Sequence, residues 1–599
     1  MEAKKTKPLR EVLCGAAAAV LGSIPKLGLP GDDTPMAPFI SDAAEIISAA
    51  WKDHPEKGPH LFRRDTLPVI PIPGSKRFAP MKAEYFVSWA ERHFAPFKTR
   101  YDNKGNPYDI TRPMPKEIAR SVLESLDFAL ELPPIKRTYP IPVPISSDAG
   151  GTITLCTPGY HADTGAFVFE SDFELNPEYI CKDDGLLSAQ GYYDDRMSLH
   201  EAVTGLYNIH SRFPFSDWSE PFCPTEDSPF FDPEDHTKTH RTSRSLAVQI
   251  MSMLANFAGG IVSPHASRLG FIYNANKQRS GKTLLGKIAV STVYGNCKLQ
   301  SWREKDEDMI KILDSETLAA TTYIFFDNIR NLIASGPLEG FMTTNIWTGR
   351  ILGASTMFEA ENNAILIFTG NNTHPGPDMQ ERTLICDLYV ETADRQDRGG
   401  EEIPRDQRLD DVWLSKPANR RHLLSCLWTI VRHWDAAGRP LATGKARRGF
   451  EEWCEVIGGM VEFAGFGDAL ERPTNLENTG DTETDDIRAL VELVSKDGSH
   501  IEKTIQEIVH ICWDNGFIPW CMHGREEYIE KLNCVTLKLN DASNSRFGTL
   551  LQRATSGERG EIHEFRNPDG TPRKVRFSCK GRGRQRRFVF RETTPPTPK

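Results

Sequence analysis

Three short apolar segments, separated by helical patterns, limit the possible fold of this chain more than any other feature. The segments are Leu269–Tyr273, Thr322–Phe326 and Ala364–Phe368. Helical apolar spacing occurs around them, for example over Leu246–Ala258 and Arg421–Trp434. Alternation of buried strands with helices is typical of a parallel sheet that helices cover. We therefore predict an α/β core over residues 242–465.

The chain has 599 residues, which is too long for a single hydrophobic core. Stretches rich in Pro, Gly and polar residues are typical of linkers or long loops, and they lie near 22–38, 214–241, 391–409 and 470–486. They divide the rest of the chain. We predict a poorly defined segment over 1–50, an α+β domain over 51–213, the α/β core over 242–465, a further domain over 487–592 and a disordered tail over 593–599.

The last predicted domain begins with helical patterns and ends with strands. The helical patterns are Ile487–Val494, Ile505–Trp513 and a third around Phe547–Gln552, and the strand-like pieces are Glu561–Phe565 and Lys574–Phe577. The segment Asn567–Gly570 between the two strands has the composition of a turn. Three helices followed by a hairpin predict a winged helix.

A basic segment close to the C-terminus contrasts with the chain's net charge of −10. From Arg573 to Arg591, nine residues are basic and none is acidic. Such a local surface is what an acidic protein needs to bind nucleic-acid phosphates; a charged, solvated edge strand is the alternative. The predicted DNA-binding residues here are Lys574, Arg576, Lys580, Arg582, Arg584, Arg586 and Arg587.

Two other classes of protein are disfavoured. The 12 cysteines are scattered, without a C-x-x-C pair, so neither a zinc module nor a disulfide framework is indicated. No apolar run is long enough to span a membrane. The N-terminal segment resembles a weak signal peptide, but we favour an amphipathic or buried helix. We expect a cytoplasmic protein with no membrane partner.

The sequence Ser280-Gly281-Lys282-Thr283 lies between the first apolar segment and a helical pattern over Lys282–Tyr294. A strand, a glycine-containing loop and a helix in that order are the context of a P-loop, which holds nucleotide phosphates. Gly281 would let the backbone approach the phosphates, Lys282 would contact the β and γ phosphates, and the Thr283 hydroxyl would bind Mg²⁺.

We therefore predict ATP and Mg²⁺ as ligands, with Ser280 also in the loop that binds the nucleotide. The full P-loop pattern has glycine where this chain has Asn276, a residue type that also tolerates left-handed backbone. We include Asn276 among the predicted nucleotide-binding residues. The alternative is a lysine at an ordinary helix N-terminus.

The second apolar segment ends in Asp327. Parallel strands present their C-terminal ends at one edge, so Asp327 is predicted to lie on the metal side of the nucleotide; a plain turn aspartate is the alternative. The next residue, Asn328, cannot accept a proton from water. The general base therefore stays open, with Glu339 and Glu359 as candidates.

The third apolar segment leads into Thr369-Gly370-Asn371-Asn372. An amide at this edge can hold the attacking water or the γ phosphate, and we favour Asn371 over Asn372 for that role. Arg382 follows, and its position suits an arginine finger that reaches the neighbouring subunit of a ring. The alternatives are a Gly-Asn turn and a solvated arginine.

These motifs, in this order, resemble the AAA+ and superfamily three helicases of phages, plasmids and integrative elements. More closely, the chain is similar to predicted primase/helicase-type ATPases of phages and mobile elements. The resemblance covers about residues 130–470, and the departures are Arg279, where that family tends to have glycine, and Glu381, where it tends to have arginine. Its matching pieces are Thr157–Tyr160 with Thr164–Gly165, Phe213–Phe215, Ser280–Leu285, Phe326–Asn328, Trp347–Gly353, Thr369–Asn372 and Phe450–Trp453.

The resemblance implies an AAA+-like parallel sheet, a homo-oligomeric ring, expected to be a hexamer, and single-stranded or forked DNA as partner, together with other replication proteins. It also implies a pore hairpin over Arg350–Ala360, in which Arg350 contacts DNA or a neighbouring subunit; a structural salt bridge is the alternative. The expected function is an ATP-dependent DNA helicase or replication initiator. Two alternatives stay open: an ATPase switch that loads or remodels partner proteins, and a nucleotide-sensing DNA-binding regulator, which Asn328 favours.

Overall fold

The structure is a computed structural model that divides into two compact units, Met1–Glu471 and Arg472–Lys599. It describes residues 26–30, 35–53, 61–146, 151–171, 173–181, 184–277, 279–351, 357–390, 409–472, 482–496, 500–514, 560–566, 572–581 and 586–593, with 498, 551 and 555. The predicted disordered tail lies outside these residues except for its first position.

The first part of the larger unit is built from short strands and helices. Its elements are β1 (Lys26–Gly28), α1 (Met36–Asp53), β2 (Phe62–Arg64), β3 (Leu67–Ile72), β4 (Arg77–Pro80), α2 (Ala83–His93), β5 (Ala95–Tyr101), β6 (Pro107–Thr111), α3 (Lys116–Leu123), α4 (Leu126–Glu131), β7 (Arg137–Tyr139), β8 (Val143–Ser146), β9 (Ile153–Cys156), β10 (Gly159–His161), β11 (Ala166–Val168) and α5 (Leu199–His210). The strands form small sheets of two or three members. A separate core over Leu27–Leu132, which includes Phe86 and Phe128, holds α1 to α4 together.

The second part of this unit contains the predicted α/β core. Its elements are α6 (Arg244–Ala258), β12 (Gly270–Ala275), α7 (Lys282–Tyr294), β13 (Leu299–Ser301), α8 (Asp306–Leu318), β14 (Tyr323–Ile333), α9 (Gly336–Thr343), β15 (Ile346–Arg350), β16 (Met357–Glu361), β17 (Ile365–Pro375), α10 (Pro377–Arg382), β18 (Thr383–Leu388), α11 (Asp411–Ser415), α12 (Pro417–Ala436) and α13 (Glu451–Phe463).

Five of these strands form one parallel sheet in the order β13-β14-β17-β12-β18. The prediction of a mixed α/β core with a parallel sheet is confirmed. The strands are apolar and buried, as expected where helices cover a sheet. Helix α6 is buried along almost its whole length and packs against α7 and β18. The sheet thereby fixes one edge at which β12, β14 and β17 deliver polar residues.

Strands β14 and β17 are longer than their apolar segments. Their pairing shifts register between Phe326 and Ile329, and Asn328 in this irregularity has a left-handed φ of 58°. A bulge redirects the side chains beside it. The bulge therefore interrupts the pairing of β14 with β17 beside Asp327.

The core around the sheet begins before the predicted α/β domain. It runs from Tyr139 to Leu470 and includes residues of β7, β8 and α5, so it crosses the predicted boundary at 213. The stretch 214–241 contains no helix or strand, but its Phe215 and Phe230 are buried in this core. That stretch is a long packed loop rather than a separator between bodies.

The smaller unit contains two helices and four strands among its described residues. They are α14 (Thr482–Ser495), β19 (His500–Lys503), α15 (Ile505–Asp514), β20 (Glu561–Arg566), β21 (Pro572–Lys580) and β22 (Arg587–Glu592). The strands form one antiparallel sheet in the order β19-β22-β21-β20. The predicted third helix lies outside the described residues apart from Leu551, so the winged helix stays a prediction.

None of the helices that the structure describes is both long and apolar enough to cross a membrane. The described cysteines are all free thiols.

Candidate functional site

The loop between β12 and α7 has the backbone geometry that its glycine allows. Gly281 precedes the first residue of α7 and has a left-handed φ of 95°. A Cβ atom at this position would lie 3.0 Å from the Phe213 ring. Conformation and space both require glycine here, and the amides of the first turn of α7 are left without intrahelical acceptors.

Lys282, the first residue of α7, is directed at the neighbouring strand β17. Its Nζ donates to Asn371 Oδ1 at 2.9 Å. Asn371 pairs in register with Ala275, the last residue of β12, which explains why it lies beside the loop that β12 enters. Of the two amides that the sequence offered, the structure places Asn371 against the lysine; the side chain of Asn372 lies outside the described part.

Thr283 and Asp327 make the second contact across this edge. The Thr283 hydroxyl donates to Asp327 Oδ1 at 3.0 Å. Both predicted metal ligands are therefore neighbours, although they are 44 residues apart in sequence. Lys282 and Thr283 thus bring the ends of β14 and β17 to the start of one helix.

A residue that the sequence reasoning did not single out supports Asp327. The Thr369 hydroxyl donates to Asp327 Oδ1 and accepts a hydrogen bond of 3.1 Å from the backbone N–H of Asn328. Thr369 lies within the quoted Thr369–Asn372 run, but spacing alone does not reveal that its hydroxyl closes the bulge. The Asp327 carboxylate is thereby held from two sides, by Thr283 and Thr369.

The environment of Lys282 is unusual for a charged group. The residue is 8% exposed, and burial lowers the pKa of its ammonium, while the nearby Asp327 carboxylate opposes this shift. The Ser280 hydroxyl beside it is also buried and has no hydrogen-bond partner among the described residues. A buried cation and an unsatisfied hydroxyl in one loop are expected where an anionic ligand completes the site.

Asn276 does not have the left-handed backbone that its position in the P-loop pattern suggested, and its predicted contact with the nucleotide stays a prediction. It is absent from the left-handed residues of the described chain, and Arg279, with a φ of 61°, and Gly281 supply that geometry instead. The Asn276 side chain donates to Val390 O at 3.1 Å and accepts from Val390 N at 2.9 Å. It therefore fastens the loop to the segment that follows β18.

A buried polar network lies beneath the first turns of α7. Gln249 accepts from the Tyr273 hydroxyl at 2.7 Å and donates to Leu285 O at 3.3 Å. Its amide is also 3.3 Å from His210 Nε2, and His210 Nδ1 is 2.7 Å from Leu206 O. These bonds are mutually consistent if His210 is neutral and carries its proton on Nδ1.

Arg382 does not lie at this site within one chain. Thr383, the next residue, pairs with Gly270 at the start of β12, which is the opposite edge of the sheet. The Arg382 guanidinium donates to Asp378 O at 2.5 Å and lies 3.4 Å from the Asp378 carboxylate. Its finger role stays a prediction that requires a second subunit.

The two candidates for a general base are also elsewhere. Burial and the neighbouring Asp378 raise the pKa of Glu339, while Arg382 lowers it, so Glu339 belongs to the surroundings of Arg382. Glu359 lies on β16, and its backbone N–H donates to Asp65 Oδ2 at 3.1 Å. The structure therefore supplies no argument for either residue as the base.

Arg350 ends the first strand of a hairpin formed by β15 and β16. Its backbone N–H donates to Asp314 Oδ2 at 2.9 Å, and the Trp347 indole donates to Asp314 Oδ1 at 2.7 Å. In the second strand of the hairpin, the backbone carbonyl of Glu361 accepts a hydrogen bond of 2.7 Å from the Arg64 guanidinium. A hairpin thus overlaps the stretch Arg350–Ala360, Asp314 holds the end of β15, Arg64 holds the end of β16, and the Arg350 side chain is exposed. A pore role for this hairpin stays a prediction.

Four of the predicted DNA-binding residues of the smaller unit fall on β21 and β22, and Arg586 directly precedes β22. Lys574, Arg576, Lys580 and Arg587 are exposed, and Arg586 is partly buried. Arg582 and Arg584 lie outside the described residues.

In the described ranges, no group of three or more His, Cys, Asp or Glu is arranged to hold a metal ion.

The fold defines a mixed α/β protein built on a five-stranded parallel sheet. No protein-family model matches the chain, and no curated protein matches it. One solved structure that it matches is described as the A form apo structure of the NrS-1 C-terminal region, with 12% identity over 79% of this chain and 92% of that chain and a TM-score of 0.29. A likeness at that score is too weak to support an argument about this chain.

Proposed function

We propose that this protein is an ATP-hydrolysing motor that acts on DNA, a helicase or replication initiator of a phage or mobile element that works as a homo-oligomeric ring. One observation carries the proposal. The contacts of Lys282 with Asn371 and of Thr283 with Asp327 assemble three separate motifs at one helix N-terminus.

The chemistry of this arrangement suits a nucleoside triphosphate. Unpaired amides at the start of α7 and the positive end of its dipole favour phosphate. The buried Lys282 ammonium would exchange its hydrogen bond with Asn371 for phosphate oxygens. Asn371, released from Lys282, would then be placed to orient a water molecule or a γ-phosphate oxygen.

The donor set also fits Mg²⁺, because the Thr283 hydroxyl and the Asp327 carboxylate are the hard oxygen ligands that this ion prefers. When bound, the ion neutralises charge on the phosphate oxygens. Thr369 would keep the Asp327 carboxylate oriented, as outer hydrogen bonds do at metal sites.

The DNA part of the proposal depends on two exposed regions. The β15–β16 hairpin presents Arg350 in the larger unit, and β21 and β22 present basic residues in the smaller one. A ring would place the hairpins of several subunits around a strand, and Arg382 would complete the site of a neighbouring subunit. Such an enzyme would work in the bacterial or host cytoplasm, where ATP is available.

A strand-displacement assay tests the motor. Forked DNA is incubated with the protein, Mg²⁺ and ATP, and we expect unwinding that stops when ATP is omitted or Lys282 is replaced by alanine. Unwinding without ATP would contradict the proposal. Hydrolysis that DNA stimulates without any unwinding would instead support a switch that loads or remodels partner proteins.

A nucleotide-sensing DNA-binding regulator is the second candidate, and Asn328 is the observation that favours it. The residue after Asp327 carries no carboxylate, and its left-handed backbone is part of the bulge. A site that binds but does not hydrolyse ATP would show saturable binding with no turnover. Multiple turnovers of ATP in the presence of Mg²⁺ exclude this candidate.

A further inference from the structure

The four-stranded sheet of the smaller unit has one covered face and one charged face. Helices α14 and α15 contact its strands, and alternate residues of the strands are buried with them: Phe565, Val575, Phe577, Cys579, Phe588 and Phe590. The other face carries the exposed residues Lys574, Arg576, Lys580, Arg587 and Arg591, with the buried Val589 between Arg587 and Arg591.

Cations lie directly opposite one another on this outward face. Arg576 pairs with Arg591, and Lys580 pairs with Arg587. Like charges in directly opposite positions destabilise a sheet. Acidic neighbours relieve part of the repulsion, because Glu502 forms an ion pair with Lys580 and Glu507 lies 4.0 Å from Arg587. Among the described residues, no carboxylate lies within ion-pair distance of Arg591.

The alternation of side chains along the strands therefore divides the basic residues between the two faces of the sheet. Arg573, one residue before Lys574, turns toward the helices, where it donates to Ser495 O and lies 3.4 Å from Glu592. It is a structural arginine. The cations that alternate with the buried residues form the outward set, and their density of positive charge on one face favours an anionic partner.

We propose that this outward face, defined by Lys574, Arg576, Lys580, Arg587 and Arg591, binds the phosphate backbone of duplex DNA. The inference rests on the proposed function for the choice of DNA, and it assigns the duplex to the smaller unit. Its cations would contact phosphates without reading bases.

Two features favour a duplex over a single strand. Surfaces for single strands combine positive charge with aromatic side chains on which bases stack, whereas the described outward positions of β19 to β22 carry no Phe, Tyr or Trp. In addition, the pair Arg576–Arg591 and the pair Lys580–Arg587 are four residues apart along β21. That separation is about 13 Å, close to the major-groove width of about 12 Å between phosphate backbones.

The test is the salt dependence of DNA binding by the full chain without nucleotide. Fluorescence anisotropy with a labelled duplex and the corresponding single strand gives log Kobs against log salt concentration. We expect the double variant Arg576→Gln, Arg591→Gln to lower the duplex slope by about 2, since each phosphate contact contributes about 0.9. Duplex affinity should fall by roughly tenfold or more at about 0.1 M salt, and single-strand affinity should change less.

Two variants control for charge and folding. Arg488→Gln removes a cation from α14, where Arg488 lies over the Phe565 ring on the covered face, and it should keep the wild-type slope. Arg576→Lys, Arg591→Lys retains both charges and should also keep it. A wild-type duplex slope in the glutamine double variant would overturn the inference, as would an equal loss of single-strand binding. Because no nucleotide is present, failure of ATP hydrolysis would refute the proposed function without altering this result.

Discussion

At the residue scale, the proposed nucleotide site depends on pairs of side chains that join the start of α7 to two different strands. Lys282 with Asn371 and Thr283 with Asp327 are contacts across 89 and 44 residues of sequence. The sequence indicated these residues because each follows an apolar strand, and parallel strands end at one edge. It did not indicate Thr369, since a hydroxyl that bonds to both an aspartate and a bulge amide has no pattern of its own.

Replacement of Thr369 by valine tests its support of Asp327. The change removes the hydrogen bond to the Asp327 carboxylate and the acceptor for Asn328 N–H. Loss of such outer bonds typically weakens metal affinity by about 10- to 100-fold. We expect the Mg²⁺ concentration for half-maximal ATPase activity to rise by that order. Thr373→Val, on the same strand, removes a hydroxyl that donates to the backbone carbonyls of Ile329 and Asn371, and it should leave this requirement within about twofold. An unchanged requirement in Thr369→Val would refute the role.

The buried His210 predicts a pH dependence of stability. Burial lowers its pKa to about 4, from an unfolded value of about 6.5. The unfolded chain therefore binds the proton first, and this contribution to stability is lost as pH falls from about 6.5 toward 4. Protonation would also set two donors, His210 Nε2 and the Gln249 amide, against each other.

The measurement is the free energy of unfolding against pH, obtained from thermal melts of wild type and His210→Gln. The stability of wild type relative to this variant should fall by up to about 3 kcal/mol between pH 6.5 and 4, because only wild type loses this contribution. His265→Gln, at an exposed position, should follow the wild-type curve. Parallel curves for wild type and His210→Gln would show that His210 does not titrate as its surroundings require.

At the element scale, the sequence predicted where strands begin better than where they end. The apolar segments match β12, β14 and β17, but β14 and β17 run on to Ile333 and Pro375 through a register shift. Past the shift β17 is polar, and β14 mixes polar residues with Ile329, Leu332 and Ile333, so no continuous apolar run extends either strand. Strand β13 is short and largely exposed, which leaves no apolar signal.

The hairpin of β15 and β16 is held by buried Asp314 of α8, and its removal should loosen the hairpin. Asp314→Ala leaves the Trp347 indole and the Arg350 amide without acceptors; each costs about 1–3 kcal/mol. We expect amide hydrogen exchange in residues 346–361 to rise by at least about tenfold. Asp308→Ala, which removes an exposed carboxylate from the same helix, is the control. Equal exchange in both variants would show that Asp314 does not fix the hairpin.

At the scale of the whole molecule, the sequence indicated the α/β core but not its extent. The core includes β7, β8 and α5, which the predicted boundary at 213 assigned to a separate domain. Their apolar pieces are short and irregular in period, so only the folded chain shows that they share a core with the sheet. Contacts between subunits are still harder to predict from the sequence, because they depend on the surfaces of two folded chains.

If the protein forms the proposed ring, Arg382 serves a neighbouring subunit. Arg382→Ala should lower kcat by about 10³-fold or more, as loss of an arginine finger does, with ATP affinity retained. Lys282→Ala should also be inactive, because this variant cannot bind the nucleotide phosphates properly. It still carries Arg382 and can supply it to a neighbouring subunit. In an equal mixture of the two variants, about one interface in four should be complete after random assembly. A mixture no more active than its components would contradict a finger supplied by a neighbour.

The proposed function requires that the site at Lys282 binds and hydrolyses Mg²⁺-ATP. The most direct test is ATP turnover by wild type, Lys282→Ala and Lys287→Ala, because Lys287 lies on the same helix but pairs with Asp411. We predict turnover in wild type and Lys287→Ala, and a loss of about 100-fold or more in Lys282→Ala. Wild-type turnover in Lys282→Ala, or no ATP turnover in the wild-type protein, would contradict the account.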